Sequence, residues 1–165
     1  MKEEMVDVLN LEGEVTGIAT RHEMRVKRLP HRCVYILVFN HQGEIFIHLR
    51  TPTKDVFPSH WDVCAGGVVA AGENFDLGAS REVFEELGVK VEPEYLFPFR
   101  YEDIHTVVFA KVYRCIHDGP FTLQKEEVVG GEFVKLIELE NRISRGKFCP
   151  DGLEVFREAE RLGFI

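Results

Sequence analysis

The sequence has little that would mark a secreted or membrane-spanning protein. Its longest apolar run, CVYILVF at residues 33–39, is far too short to cross a bilayer. The first residues, MKEEMVDVLNLEGE, are acidic and lack the apolar core of a signal peptide. The four cysteines show neither CxxC nor zinc-finger spacing; they are Cys33, Cys64, Cys115 and Cys149. We therefore expect a cytoplasmic protein with reduced thiols and without a membrane partner.

Basic residues are outnumbered by acidic ones. Lys and Arg number 20 against 28 Asp and Glu, which gives a formal net charge of −8. This balance argues against nucleic acid as a partner, because nucleic-acid binding usually needs a basic surface. An anionic substrate would need a cation to shield it from the acidic groups. A length of 165 residues with 45% hydrophobic and 29% charged residues is typical of one globular domain.

Hydrophobic periodicity and turn residues predict an α/β fold. Residues 6–21 have the pattern of a β-hairpin about Glu12-Gly13, so we expect residues 1–30 to form an extension packed on a main domain of residues 31–165. Further strands are predicted at residues 34–40, 44–50, 95–101, 105–115 and 132–136, and the basic residues 25–28 are expected in a solvated loop. Asn74 and Gly88 suit the two ends of a helix, and another helix is predicted at residues 151–162. This order favours a mixed sheet sandwiched between helices.

The helix predicted between Asn74 and Gly88 carries an unusual concentration of carboxylates. At 100° per residue, Glu82, Glu85 and Glu86 share one face. The opposite face, which we expect to be buried, holds four apolar residues: Leu77, Val83, Phe84 and Leu87. On a solvated helix, like-charge pairs at this spacing cost only about 0.2–0.5 kcal/mol each. In a cleft they would either raise the pKa of a carboxyl group sharply or hold a divalent cation, and oxygen donors without His or Cys favour Mg²⁺ or Mn²⁺.

The residues around these carboxylates match a known motif. From Gly67 the chain shows five residues, Glu73, seven residues, and then the run REVFEELGV at residues 81–89. This is the Nudix box, GX5EX7REUXEEXGU with U aliphatic, without a gap or a substitution. Seven fixed positions give a chance match of about one in 10⁵ for a chain of this length. The sequence therefore resembles the Nudix hydrolase family over residues 31–162.

The resemblance implies a Nudix α/β/α sandwich and hydrolysis of nucleoside diphosphate derivatives with Mg²⁺ or Mn²⁺. The implied metal ligands are the carbonyl of Gly66 and the side chains of Glu82, Glu85 and Glu86. The implied catalytic set is Arg81, which orients the glutamates, together with Glu85, Glu86 and a further glutamate from a later loop. We assign that last role, base or extra ligand, to Glu127, with Glu126 as the alternative. Glu73 is expected to brace the loop.

Outside the box, LPHR and LRTPTKDVFPSHWDVCAGG resemble the isopentenyl diphosphate isomerase-like branch of the family. The resemblance implies that Arg50 and Lys54 meet substrate phosphates. However, Gly66 occupies the position of the isomerase catalytic cysteine, and Cys64 lies two residues before it. A two-residue slip on a strand moves a side chain by about 6–7 Å, so isomerisation is disfavoured.

We therefore expect a divalent-metal-dependent hydrolase that cleaves a diphosphate linkage in a small molecule, a nucleoside diphosphate or a derivative. Two alternatives stay open: an isoprenoid diphosphate isomerase, and a Nudix-fold binding module without catalysis. A homodimer formed through an edge of the N-terminal hairpin is also possible.

Overall fold

The structure is a computed structural model and describes residues 2–165. The chain begins with the expected hairpin, β1 (Met5–Leu9) and β2 (Val15–Thr20), which form a two-stranded antiparallel sheet. The side-chain carbonyl of Asn10 accepts the backbone N–H groups of Glu12 and Glu14 in the turn. The hairpin prediction is therefore confirmed. The sequence could indicate this hairpin because its turn contacts are local.

The segment that follows the hairpin corrects one expectation. A short helix, α1 (Arg21–Val26), contains the first two residues of the segment 25–28 that was expected in a solvated loop, while residues 27–28 form a turn. Its N-terminus is capped by the hydroxyl of Thr20, which accepts the N–H of Glu23 at 3.0 Å. Met24 is 1% exposed in the core, so burial of this side chain against the sheet stabilises a helix too short to be stable alone.

The main sheet has seven strands. They are β3 (His31–Phe39), β4 (Ile45–Arg50), β5 (Trp61–Asp62), β6 (Ala65–Val68), β7 (Glu94–Glu102), β8 (Val107–Ile116) and β9 (Val128–Val134). Strands β3 and β8 are parallel, whereas the other pairs are antiparallel, so the sheet is mixed as predicted. Strands β3 and β4, which follow each other in sequence, pair only at Phe39 and Ile45 before they separate. Beyond that point β6 pairs with β3 and β9 pairs with β4.

Helices cover both faces of this sheet. They are α2 (Phe75–Leu87), α3 (Leu136–Arg145) and α4 (Pro150–Arg161). Val34 and Ile36 of β3 alternate with Tyr35 and Leu37, so that one set packs with α2 and the other with α4. The α/β/α sandwich with an N-terminal hairpin is therefore confirmed.

The ends of α2 agree with the prediction. The side chain of Asn74 accepts the N–H of Leu77 at 2.8 Å, and Gly88 ends the helix with φ +72°. The predicted strand at residues 132–136 was displaced: β9 ends at Val134, and α3, which the sequence analysis did not predict, begins at Leu136.

The predicted buried face of α2 was partly wrong. Leu77 is 62% exposed and Phe84 is 49% exposed, while Glu82 and Glu86 are buried. Gly78 and Ala79 join Val83 and Leu87 on the buried side, as the helix is rotated to turn two glutamates towards the sheet.

The N-terminal segment packs on the main sheet. Val6 is fully buried in the core cluster that includes Met24, and it forms a β-bridge with Ala70. Arg32 of β3 donates to Asp7 at 2.6 Å. The division at residue 30 stays a prediction. Within residues 2–165, the helices are all too short or too polar to span a bilayer.

Candidate active site

The guanidinium of Arg81 organises the carboxylates of the motif. Its Nε and Nη2 donate to the two oxygens of Glu73 at 2.8 and 2.9 Å. Its Nη1 donates to Glu82 at 2.8 Å and to Glu85 at 3.1 Å. A planar fork of this kind can hold several carboxylates in fixed orientations, which a lysine cannot do. Arg81 thus lies where it can orient the glutamates.

Glu73 connects the helix to the preceding loop. Besides Arg81, it accepts the backbone N–H of Ala70 at 3.1 Å. A Cβ on Gly78 would lie 3.0 Å from Glu73 Oε1, so the glycine leaves room for this carboxylate. The hydrogen bonds from Arg81 lower the pKa of Glu73, which keeps it ionised.

Two glycines of β6 bring the backbone close to the acidic helix. Gly66 has φ +145°, and a Cβ there would lie 2.0 Å from the carbonyl oxygen of Val34. A Cβ on Gly67 would lie 2.7 Å from Glu82 Oε1. Glu82 can therefore lie directly against the strand only because residue 67 has no side chain.

Two of the carboxylates are buried. Glu82 is 9% exposed and Glu86 is 5% exposed, while the side chain of Glu85 remains 44% exposed. Burial, opposed by Arg81 and reinforced by Glu85, raises the pKa of Glu82 to about 7. Burial and the charge of Glu82 raise the pKa of Glu86 well above its usual range. Buried like charges of this kind favour the binding of a cation.

One carboxylate oxygen of Glu86 has no partner. Its Oε2 is buried and has no hydrogen-bond partner. Within residues 2–165, His, Cys, Asp and Glu side chains do not form a ready-made group of three at metal-binding distances. Instead Arg81 holds Glu82 and Glu85. The donors nevertheless fit a hard divalent cation, because they are carboxylates, one with an unpartnered oxygen, in a cleft that the two glycines of β6 also line.

The glutamates line a cleft of about 420 Å³. Its lining also includes Gly66, Gly67 and Arg81, and two further cationic side chains, Arg21 and Lys54. The structure brings Glu127 into the same cleft, where it forms an ion pair with Lys54. The sequence analysis missed Arg21, which belongs to no motif and reaches the cleft only because α1 packs there.

Arg50 does not line this cleft. Its Nε and Nη2 donate to the carbonyl of Val56 at 3.2 and 2.8 Å, which holds the loop that carries Lys54. Arg50 lines an adjoining cavity instead. The alternative to Glu127, Glu126, is exposed and does not line the cleft.

The adjoining cavity has a polar floor that the sequence analysis did not predict. Asp62 is buried there and Asp151 is partly buried, and Tyr35 donates its hydroxyl to Asp151 at 2.9 Å. Burial and the charge of Asp151 raise the pKa of Asp62 to about 7, and burial also raises the pKa of Asp151. The two aspartates are 89 residues apart in sequence (151 − 62), so no local pattern relates them.

The two aspartates predict how the free energy of unfolding of the protein depends on pH. The folded-state pKa of Asp62 lies above its ordinary value of 3.8, so the protonated form stabilises the fold. That contribution is complete below pH 3.8 and is lost as the pH rises through about 7. The amide introduced by Asp62→Asn cannot ionise. We therefore expect the free energy of unfolding of this variant, minus that of the wild type, to increase by about 1 kcal/mol or more from pH 5 to pH 8. Urea unfolding at both pH values checks this, and an unchanged difference would contradict it.

The fold and the carboxylate-bearing helix beside paired glycines define the Nudix class of hydrolases. A family model described as the NUDIX domain matches residues 29–155. The chain belongs to the Nudix family and is a Nudix hydrolase.

Relatives extend this similarity over nearly the whole chain. The chain is 39% identical over 157 residues to the Nudix hydrolase SCO1686 of Streptomyces coelicolor, covering 93% of this chain and 87% of that one. It is 40% identical over 152 residues to the Nudix hydrolase YfcD of Escherichia coli K12, with 92% and 83% covered. The crystal structure of DR0079 from Deinococcus radiodurans superimposes with a TM-score of 0.78 at 30% identity, covering 94% and 98% of the two chains.

Proposed function

We propose that this Nudix hydrolase holds Mg²⁺ or Mn²⁺ on its acidic helix and cleaves a diphosphate linkage in a nucleoside diphosphate or a derivative. The proposed metal ligands are the carbonyl of Gly66 and the carboxylates of Glu82, Glu85 and Glu86. The observation that carries the proposal is one cleft whose lining contains Glu82, Glu85 and Glu86 together with Arg21 and Lys54. The carboxylates suit a divalent cation, and the two cationic side chains suit phosphate oxygens.

Each residue of the cleft has a separate proposed role in binding or catalysis. A bound divalent cation would neutralise phosphate charge and acidify a water molecule. Arg81 keeps Glu82 and Glu85 aligned, and the bare backbone at Gly66 and Gly67 lets the substrate approach closely. Lys54 is the proposed phosphate contact. A protein of net charge −8 needs this local positive charge to admit a diphosphate.

Glu127 is the proposed proton acceptor for the attacking water, or an additional ligand. It lines the cleft and forms an ion pair with Lys54. This pair positions Lys54 at the cleft. Direct contact between Arg50 and the substrate stays a prediction, since two of its nitrogen atoms are engaged with Val56.

Glu127→Gln is expected to lower kcat by about tenfold or more, because the amide cannot accept a proton and binds Lys54 less strongly. Glu126→Gln is the matched control, since that side chain is exposed and lies outside the cleft. Steady-state kinetics on the two variants checks this. Equal rates in both variants would remove Glu127 from the reaction.

The site argues against the two alternative functions. The Cys64 thiol is 2% exposed, and burial with the charge of Asp62 raises its pKa well above the usual range, so it is protonated and a poor nucleophile. This disfavours an isoprenoid diphosphate isomerase, although the similarity to that branch outside the box can reflect common ancestry. A binding module without catalysis would not need Glu86 buried with a free oxygen atom.

A substrate panel tests the proposal. The protein would be incubated with nucleoside diphosphates, sugar nucleotides, dinucleotides and isopentenyl diphosphate, with Mg²⁺ or with EDTA. We expect Mg²⁺-dependent release of a monophosphate or phosphate from at least one nucleotide. Absence of metal-dependent product from every compound would overturn the proposal, and conversion of isopentenyl diphosphate to its isomer would establish the alternative.

A further inference from the structure

One carboxylate outside the cleft, that of Asp55, is close to the cations that line it. Its Oδ2 lies 3.2 Å from Nε of Arg25 and 3.6 Å from Nε of Arg21. Asp55 also directly follows Lys54 in the chain. Arg21 and Lys54 line the cleft, whereas Asp55 and Arg25 do not. Asp55 is therefore placed to act on the cleft through its neighbours.

The ion pairs of Asp55 connect two separate segments of the chain. Arg21 and Arg25 belong to α1, which follows the N-terminal hairpin. Asp55 belongs to residues 51–60, which connect β4 to β5 and also carry Lys54. The pairs at 3.2 and 3.6 Å thus join this loop to α1. The two segments that supply Lys54 and Arg21 to the cleft are held together at Asp55.

The loop has a backbone conformation that depends on such contacts. Phe57 has φ +48° and Ser59 has φ +58°, a left-handed region that residues other than glycine rarely adopt. Residues of this kind persist where surrounding contacts hold them, and they are common at functional sites. The contacts here include the ion pairs of Asp55 and the hydrogen bonds from Arg50 to the carbonyl of Val56. Loss of one of them would allow the loop to relax.

Asp55 also offsets a repulsion between cations. Arg21 and Lys54 carry like charges and line one cleft, so each disfavours the other. Burial acts to raise the pKa of Asp55, but the neighbouring cations, Arg25 above all, lower it below its ordinary value. Asp55 is therefore ionised at neutral pH, and its negative charge favours the approach of both cations.

We infer that Asp55 is a positioning residue, which holds Arg21 and Lys54 at the separation at which both contact one diphosphate. The inference rests on the proposed function for the identity of the anion. Without Asp55, Arg21 would keep its pair with Glu4, and Lys54 would keep its pair with Glu127. Each cation would then follow its own partner. The N-terminal segment thereby contributes to the affinity of the site, although it is remote in sequence from the Nudix box.

Asp55→Asn tests this inference through the direction of its effect. Removal of a negative charge near the cleft would by itself tighten the binding of an anion, whereas loss of positioning weakens it. Methylenediphosphonate is a suitable probe, because its P–C–P bridge is not hydrolysed. In calorimetry with Mg²⁺, we expect its Kd to be at least about fivefold higher for Asp55→Asn than for the wild type. An unchanged or lower Kd, or no measurable binding to the wild type, would overturn the inference.

Two further variants separate positioning from a purely structural role. Asp55→Glu keeps the charge and should bring the Kd to within about threefold of the wild type. Asp118→Asn is the matched control and should change the Kd by less than about twofold, because Asp118 pairs with His41 and does not line the cleft. The side chain of Asp55 is 42% exposed, so Asp55→Asn should melt near the wild-type temperature. A raised Kd accompanied by a large fall in melting temperature would assign Asp55 to the support of the fold instead.

A double-mutant cycle with Arg25→Gln checks that Asp55 acts through α1. Arg25 lies 3.2 Å from Asp55 and does not line the cleft. We expect the increase in Kd for the double variant to be at least about threefold smaller than the product of the two single increases. Increases that simply multiply would show that the two residues act separately, which contradicts the inference.

Failure of this inference and failure of the proposed function give different results. If the substrate panel yields no metal-dependent hydrolysis but Asp55→Asn weakens the binding of methylenediphosphonate, the proposed reaction is wrong and the role of Asp55 stands. If a nucleotide is hydrolysed, Asp55→Asn should raise its KM and change kcat by less than about threefold. An unchanged KM would leave the reaction standing and would show that Asp55 does not position the cations.

Discussion

Glu86→Gln is expected to lower kcat by at least about 10²-fold without loss of stability. Glu86 Oε2 is buried and has no partner, so the wild-type carboxylate is costly to the fold when no cation is bound. Glutamine has nearly the same shape but carries no charge. The metal-free variant should therefore unfold at the same temperature as the wild type or higher, while its affinity for a divalent cation falls.

Kinetics, thermal unfolding and Mn²⁺ titration followed by electron paramagnetic resonance would check this prediction together. Glu92→Gln is the matched control, because Glu92 is exposed and lies beyond the end of α2. A rate near that of the wild type would remove Glu86 from the proposed metal site. A large fall in melting temperature would mean that its carboxylate supports the fold instead.

Gly67→Ala is expected to lower kcat by about 10²-fold through displacement of Glu82. The added Cβ would lie 2.7 Å from Oε1 and 2.8 Å from Oε2 of that glutamate, closer than such atoms can approach. Glu82 would have to move away from the strand, and a displacement of about 1 Å in a catalytic group can cost about 10²-fold. Because the contact is with the end of a side chain, the fold should survive.

Gly130→Ala on β9 is the matched control, since a Cβ there would meet no atom within 4 Å. Kinetics and unfolding of the two variants separate a local effect at the site from a general cost of alanine in a strand. Equal activity of the two variants would show that Glu82 need not contact β6. Loss of folding in Gly67→Ala but not in Gly130→Ala would show that the structure around β6 cannot accommodate a side chain at residue 67.

The elements that the sequence predicted well depend on contacts between near neighbours. Asn74 and Gly88 determine the ends of α2 through a side-chain cap and a positive φ, and the turn at Asn10 forms the N-terminal hairpin. In α3, Leu136, Leu139 and Ile143 have helical spacing, so a signal for that helix was present in the sequence. The short α1 has a local signal only at its start, where Thr20 caps the helix, and its stability comes from burial of Met24.

The sequence by itself determined the family, the acidic helix and the residues that share its carboxylate edge, because helical spacing places side chains three and four positions apart on one side. Only the tertiary structure decided how that helix is rotated. Gly67 on β6 leaves space for Glu82, and in this rotation Glu82 and Glu86 are buried while Leu77 and Phe84 are exposed.

The tertiary structure also decided which distant residues meet at the site. Lys54 and Glu127 are paired, and Asp62, Asp151 and His31 line one cavity, although long stretches of chain separate them. Their proximity follows from strand pairing and helix packing across the sheet. A single sequence does not record such long-range contacts, because they are fixed by the packing of the whole core rather than by local spacing.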